Sequence, residues 1–430
     1  MSILEQKIGQ GAERTVPTTV AREPCSEAKD ALAGVKIVEF GAYAAGPCIS
    51  KYLANFGARV VHVESRQRPD GFRLQYPPFK DGQVGLNRSG CFAFFNDSKH
   101  GVTLDLKHSE GLRLANRLVE WSDIVIENMR PGVMARLALD YESLRERNLN
   151  LIMLSTSNMG QTGPHATHPG FGSQLSSLSG FTHLIGEPDG PPYFLYGPYI
   201  DFVAVAFGGI AVLAALDHRR RTGEGAYIDL SQFETGVQFI SSVMIDYSAN
   251  GVIANRDGNR DGSAAPHGCY PCKGGEWCVI SCWDDQEWEG LCRAANTTEW
   301  LADERFATLK QRKENEDELN RLIGAWTSSQ TAERLMWRLQ TRGVHAAKVN
   351  RVQDLFTDPQ IAFRNIWQQQ EHPELGNHKY RMVSYELNET PGRVRGAAPC
   401  LGADNEEVFI EWLGLSRCEY EELSEHGAFS

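Results

Sequence analysis

Short apolar runs alternate along the chain with longer stretches of helical spacing. Val35-Lys-Ile-Val-Glu-Phe40 is a strand pattern, followed at once by the glycine-bearing loop Gly41 to Pro47. Cys48 to Phe56 has helical spacing and closes on Gly57, after which Ala58 to Val63 reads as a second strand. Strand, loop, helix and strand predict a βαβ unit and a parallel sheet. Phe94 to Leu106 reads as a loop into a strand, Ser109 to Trp121 as an amphipathic helix, and Ile124–Glu127 and Leu151–Ser155 as further strands. Beyond these, Val203 to Arg219 predicts a long Ala- and Gly-rich helix, Ala226 to Leu230 a strand and Ser231 to Asn250 a helix. The series predicts a doubly wound, Rossmann-like α/β domain.

The pattern changes after Asn255 to Gly262, which holds no apolar residue and reads as a linker. From Ala264, short Cys- and Trp-rich strands precede charged helices at Thr298–Trp326 and Ala332–Thr341, which predicts a second, smaller domain. With 430 residues the chain is too long for one ordinary core. The expected division is a flexible polar extension at 1–30, a large domain from 31–235, a helix and linker at 236–262, a small domain at 263–375, and a return to the large domain at 376–430. Residues 1–30 carry no apolar segment of the signal-peptide kind.

A net charge of −12 argues against nucleic acid or an anionic membrane surface as the main partner, yet leaves room for a local basic pocket. No apolar run is read as approaching the ~18–20 residues of a membrane span, and the cytoplasm is the expected compartment. Cys269, Cys272, Cys278 and Cys282 cluster, which raises zinc or redox chemistry. Their spacing fits no common zinc knuckle, and Cys278 and Cys282 lie in a segment that reads as a buried strand, so the small-apolar role of free cysteine is preferred and no metal is expected.

The most constrained stretch is Gly186-Glu-Pro-Asp-Gly-Pro-Pro192. Glycine and proline fix its shape closely, with Asp189 at its centre. Taken alone it is a solvent-exposed turn. The loop after Phe40 lacks GxGxxG spacing, so a dehydrogenase reading has weak support, although strand-to-helix loops are where α/β sheets bind phosphates.

Six segments stand out in order: Leu32 to Phe40 with Ala45-Gly-Pro47; Asn96-Asp-Ser-Lys99 with Leu104 to Lys107 and Glu110-Gly111; Glu127-Asn-Met-Arg-Pro-Gly-Val-Met134; Gly160-Gln-Thr-Gly-Pro164; the Asp189 turn; and His218 to Gly225. In these segments and their order over residues 32–235, and more loosely beyond, the chain resembles the family III CoA-transferases, the CaiB–BaiF group.

The resemblance implies that Asp189 is a nucleophile carrying the acyl group and then CoA, with N–H donors from Gly190, Gly160 or Ala45 stabilising the oxyanions. It sets Tyr43, Ala44 and Ala45 on the loop that meets the CoA chain, with Ala44 where a glutamine is often found. It assigns Lys99, Asn128, Met129 and Arg136 to the adenosine and phosphates of CoA; plain surface charge is the alternative for Lys99 and Arg136. Ser65 stands where some members have a phosphate-binding arginine, and its neighbour Arg66 is expected to substitute. Related racemases use an aspartate where this chain has Gly172, in Pro169-Gly-Phe-Gly172, so a racemase is disfavoured. No permanently bound cofactor is implied, only CoA and acyl-CoA as substrates beside a carboxylic acid. The large domain would be built from both chain ends, with a smaller α+β domain between, in an interlocked dimer.

Tyr193-Phe-Leu-Tyr196-Gly-Pro-Tyr199 follows the turn, and its aromatics either line a pocket for an aryl acid or pack in a core. The acid pair on this reading is succinyl-CoA or a similar short donor with an aromatic or dicarboxylic acceptor. The alternative is a non-catalytic CoA-binding subunit of a heteromeric transferase.

Overall fold

A computed structural model describes residues 30–430. The expected N-terminal extension lies almost wholly outside the described residues.

Six strands form one parallel sheet: β1 (Lys36–Phe40), β2 (Arg59–Glu64), β3 (His100–Thr103), β4 (Ile124–Glu127), β5 (Ile152–Ser157) and β6 (Ala226–Ser231), in the order β3-β2-β1-β4-β5-β6. Both faces are covered at β1, β2, β4 and β5, which is why these strands read as nearly unbroken apolar runs, while the edge strand β6 alternates exposed and half-buried residues. Ile37, Ile124 and Ile126 pack in one core with the helix Ala45–Asn55 and with Val205 and Val212 of the helix Tyr199–Thr222. Val38, Phe40 and Val125 pack in the other with Leu114 and Leu118 of the helix Ser109–Trp121. The order reverses between β1 and β4, and α/β sheets bind ligands at the carboxyl ends of strands flanking such a reversal.

The helix Tyr199–Thr222 is longer than expected, and it corrects the reading that no apolar run reaches membrane-span length. By length and composition it is sufficient to cross a bilayer. In the fold its inner side lies on the sheet, and Gly208 leaves no room for a side chain against Ile49 and Leu230. It ends at Gly223, whose positive φ of 81° closes the last turn onto the Arg219 carbonyl. The single helix expected over Ser231–Asn250 is two, Gln232–Phe239 and Ser241–Asn250, broken at Ile240.

The antiparallel sheet of β7 (His267–Pro271), β8 (Trp277–Ser281) and β9 (His345–Lys348) packs with helices from Asp285–Ala295 to Ala332–Gln340 around a separate core. Cys272, Cys278, Cys282 and Cys292 are buried in that core among Trp288, Leu291 and Phe306. Among the described residues no group of three or more His, Cys, Asp or Glu is arranged to hold a metal. The hairpin of β10 (Trp367–His372) and β11 (Gly376–Arg381) sends Leu375 and Tyr380 into the large-domain core, so the chain has returned there before residue 375. Val408, Phe409, Leu423 and Phe429 complete the other face of the sheet.

Candidate active site

A cleft of about 570 Å³ opens at the carboxyl ends of β1, β4 and β5. That volume is typical of small-molecule sites. It is walled by Tyr43, Ala44, Ala45, Asn128 and Met129, and by Arg68, Arg130, Phe171, Asp201 and Gln232 among others.

Its first wall is the loop after β1. Tyr43 has a left-handed backbone, φ 63°, unusual for a side chain of its size. Asp70 holds it there, with both carboxylate oxygens 3.1 Å from the Tyr43 N–H. The Tyr43 ring meets Phe72 and Phe171 edge-on, at 5.3 and 5.9 Å. Burial pushes the Asp70 carboxyl up to about 6, against the N–H groups of Phe72 and Tyr43 that lower it. Ala45 opens the following helix, which has no side-chain cap at Ala44, so its first N–H groups have no intrahelical partner, and helix starts of this kind suit anions.

Asn128 joins this loop to the one after β4: its Oδ1 accepts from the Ala42 N–H and its Nδ2 donates to the Ala42 carbonyl. It lines the cleft, but its amide is engaged in fixing the loop, a positioning task that the expected ligand contact did not include. Met129 lines the cleft, its N–H donated to Glu127 Oε2 at 2.7 Å. Burial pushes Glu127 up to about 7.

Three expectations are corrected. Lys99 is no phosphate contact: it is 5 % exposed, and its Nζ is held 2.7 Å from Glu39 Oε2 and 2.8 Å from Asn96 Oδ1. It anchors a buried network that continues through Glu39 and His62 to Glu64 and Arg73, and Glu64 in turn accepts the Asp70 N–H. Arg66 is laid against Gly402 of the C-terminal segment instead of the cleft; Arg68, two residues on, lines it. The Gly190 N–H is spent on the Glu187 carbonyl at 3.0 Å, closing the turn, so it is not free to stabilise an oxyanion.

Asp189 is at the exposed tip of that turn. Tyr193 donates to the Ile185 carbonyl and Gly258 to that of Gly186, both at 2.9 Å, which fixes the turn's base. Asp189 has no hydrogen-bonding or ionic partner among the described residues and is not in the cleft wall of its own chain. Arg136 is exposed at the end of a short helix, beyond the cleft, while Arg130 reaches it. Tyr193, Phe194 and Tyr196 are exposed and outside the cleft, and Tyr199 packs on Phe181 and Phe239.

The cleft floor was not read from the sequence. Thr156 Oγ1, Ser157 Oγ and Gln232 Oε1 are buried there without a hydrogen-bond partner among the described residues. Asp201 turns its carboxyl over Gly172, where any β-carbon would overlap it, so the absence of an aspartate at 172 does not leave that spot without a carboxyl. Burial pushes Asp201 up to about 7. Polar residues at the end of β5 were the available signal; nothing local marks Asp201 or Gln232, each simply opening a helix.

A parallel doubly wound sheet with a cleft at the carboxyl ends of its strands, where their order reverses, is the arrangement of a ligand-binding α/β domain. The chain belongs to CoA-transferase family III, whose sequence model matches residues 32–405. It is 35 % identical over 382 residues to the succinyl-CoA–D-citramalate CoA-transferase of Chloroflexus aurantiacus, covering 89 % of this chain and 94 % of that one. It is 32 % identical over 395 residues to the succinyl-CoA–L-malate CoA-transferase alpha subunit of the same organism, covering 91 % of each. A crystal structure of a CaiB/BaiF family protein from Brucella suis superposes with a TM-score of 0.83 at 30 % identity, covering 89 % of this chain and 99 % of that one.

Proposed function

We propose that the protein moves CoA from succinyl-CoA to a second carboxylic acid through covalent intermediates on Asp189. The observation that carries this reading is the Asp189 carboxylate: exposed, unpaired and held in a turn braced at both ends. A carboxylate kept rigid without a partner has an oxygen free to attack.

Attack on the thioester carbonyl forms a mixed anhydride and expels CoA thiolate. The thiolate attacks the Asp189 carbonyl, forming aspartyl-CoA and releasing succinate. The acceptor carboxylate attacks aspartyl-CoA, again expelling thiolate, which then takes the acyl group and frees Asp189. Each step exchanges one acyl bond for another, with no net redox change. The uncapped helix start at Ala45, in the cleft wall, offers N–H donors suited to developing negative charge. Arg68 and Arg130 at the cleft and Arg136 beyond it have no ionic partner among the described residues and suit the phosphates of CoA. Succinyl-CoA as donor is supported by the names of both Chloroflexus relatives.

Phe207, Ile210 and Leu213 are exposed along the long helix, and this apolar stripe favours a second copy of this chain as partner. The relative named as an alpha subunit favours a heteromeric assembly as the second reading.

The test is mass spectrometry of the protein incubated with succinyl-CoA and trapped with hydroxylamine. A hydroxamate on the peptide bearing Asp189, absent from Asp189→Ala, is expected. CoA binding with no label in any acyl-CoA overturns the catalytic reading in favour of the non-catalytic subunit.

A further inference from the structure

The cleft floor differs in chemistry from its walls. Thr156 and Gln232 are 0 % and 5 % exposed and Ser157 is 7 % exposed, and each keeps a side-chain oxygen with no partner among the described residues. A buried polar atom left unpaired is destabilising. Three converging on one cleft form an arrangement that a ligand satisfies. Asp201 adds a fourth group, and its carboxyl has no side-chain partner among the described residues.

The donor and acceptor types narrow that ligand. Two hydroxyls donate or accept, the Gln232 amide oxygen only accepts, and a carboxyl held partly protonated near neutral pH donates. An aryl or alkyl tail would leave all four groups unpaired. A second carboxylate accepts from the hydroxyls and from the Asp201 carboxyl, and a hydroxyl donates to Gln232. The aromatic side chains that would have argued for an aryl acid, Tyr193, Phe194 and Tyr196, are outside the cleft. Arg68 and Arg130 add positive charge to the same cleft.

We propose that this floor is the acceptor-acid pocket, where Thr156, Ser157, Gln232 and Asp201 select a short aliphatic acid bearing a second carboxylate and a hydroxyl group. The inference rests on the CoA-transfer reading above. Sites built to hydrogen-bond a polar substituent reject analogues lacking it far more strongly than apolar pockets reject extra bulk.

The test uses the full-length protein with succinyl-CoA as donor and L-malate, glutarate, butyrate or benzoate as acceptor, with Ser157→Ala, Gln232→Leu and their combination. Wild type is expected to favour malate over butyrate in kcat/KM by at least about 100-fold. The double variant is expected to lose at least about tenfold more on malate than on butyrate, since two polar partners are removed. Calorimetry on the CoA complex is expected to show malate binding to wild type and weakened binding to the variants, with the Kd of CoA itself within about twofold. Equal losses on malate and butyrate, or a CoA Kd weakened in step, overturn the proposal and assign the floor to the pantetheine arm. Labelling of Asp189 without discrimination among acids overturns this inference alone; absence of labelling and of transfer to every acid overturns the transferase reading and this inference with it.

Discussion

Asn128 and Ala42 are bound to each other by two hydrogen bonds, Ala42 N–H to Asn128 Oδ1 at 2.9 Å and Asn128 Nδ2 to the Ala42 carbonyl at 2.7 Å. The pair ties the loops after β1 and β4 together where the strand order reverses, and both loops wall the cleft. Gly41 fits between them because a β-carbon there would come within 3.0 Å of Asn128 Oδ1. Replacing Asn128 by Ala is expected to cost about 1–3 kcal/mol, from the Ala42 groups left unpaired. Urea denaturation measures the stability loss and calorimetry the accompanying loss of CoA affinity; full CoA affinity in Asn128→Ala would show that the clamp does not shape the site.

Lys99→Met leaves Glu39 buried without its cation, and removal of one partner from a buried pair costs about 3–5 kcal/mol. Lys99→Met with Glu39→Gln is expected to recover part of that loss, as read by chemical denaturation. Loss of CoA affinity in well-folded Lys99→Met, without loss of stability, would restore the phosphate role.

Glu39 and Asp70 give opposite pH signatures. Burial alone would raise Glu39, but Lys99 and His62 outweigh it and hold its carboxyl near 2. Its folded value is below the ordinary 4.5, so its contribution is present above about pH 4.5 and is lost as pH falls toward 2. Asp70 is raised to about 6 from 3.8, so its contribution is present below about pH 3.8 and is lost as pH rises through 6. A shift of that size corresponds to about 3 kcal/mol at most. The stability of Asp70→Asn relative to wild type is therefore expected to improve between pH 4 and pH 7; a flat difference curve would show that Asp70 is not perturbed.

Gly172→Ala sets a β-carbon against the Asp201 carboxyl and 2.8 Å from Pro198 Cα. Overpacking of this kind typically costs about 1–3 kcal/mol. The expected result is lower thermal stability with Asp201 displaced, and a fall in kcat/KM larger for malate than for butyrate. Unchanged stability would mean that the start of the long helix yields easily.

Arg68→Ala and Arg130→Ala are each expected to weaken CoA binding by about five- to tenfold through loss of a charge-assisted contact, with a smaller effect on pantetheine, which lacks the phosphates. Equal effects on both ligands would remove the arginines from phosphate binding.

The sequence by itself determined the parallel sheet, because β1, β2, β4 and β5 are buried on both faces and their apolar runs say so without help from distant residues. It also determined the Asp189 turn, whose glycines and prolines act through their own backbones, and the family, whose motifs are local. Only the tertiary structure decided what each polar side chain does. Lys99 and Asn128 read as ligand contacts until the folded chain supplied Glu39 and Ala42 as partners 60 and 86 residues away. Arg66 and Arg68 are two residues apart, and only the return of the C-terminal segment separates their roles. The floor of Thr156, Ser157, Asp201 and Gln232 exists because β5 and two helix starts, distant in sequence, meet in one cleft. Burial and pairing are properties of the assembled chain, and they, not residue type, set charge and reactivity.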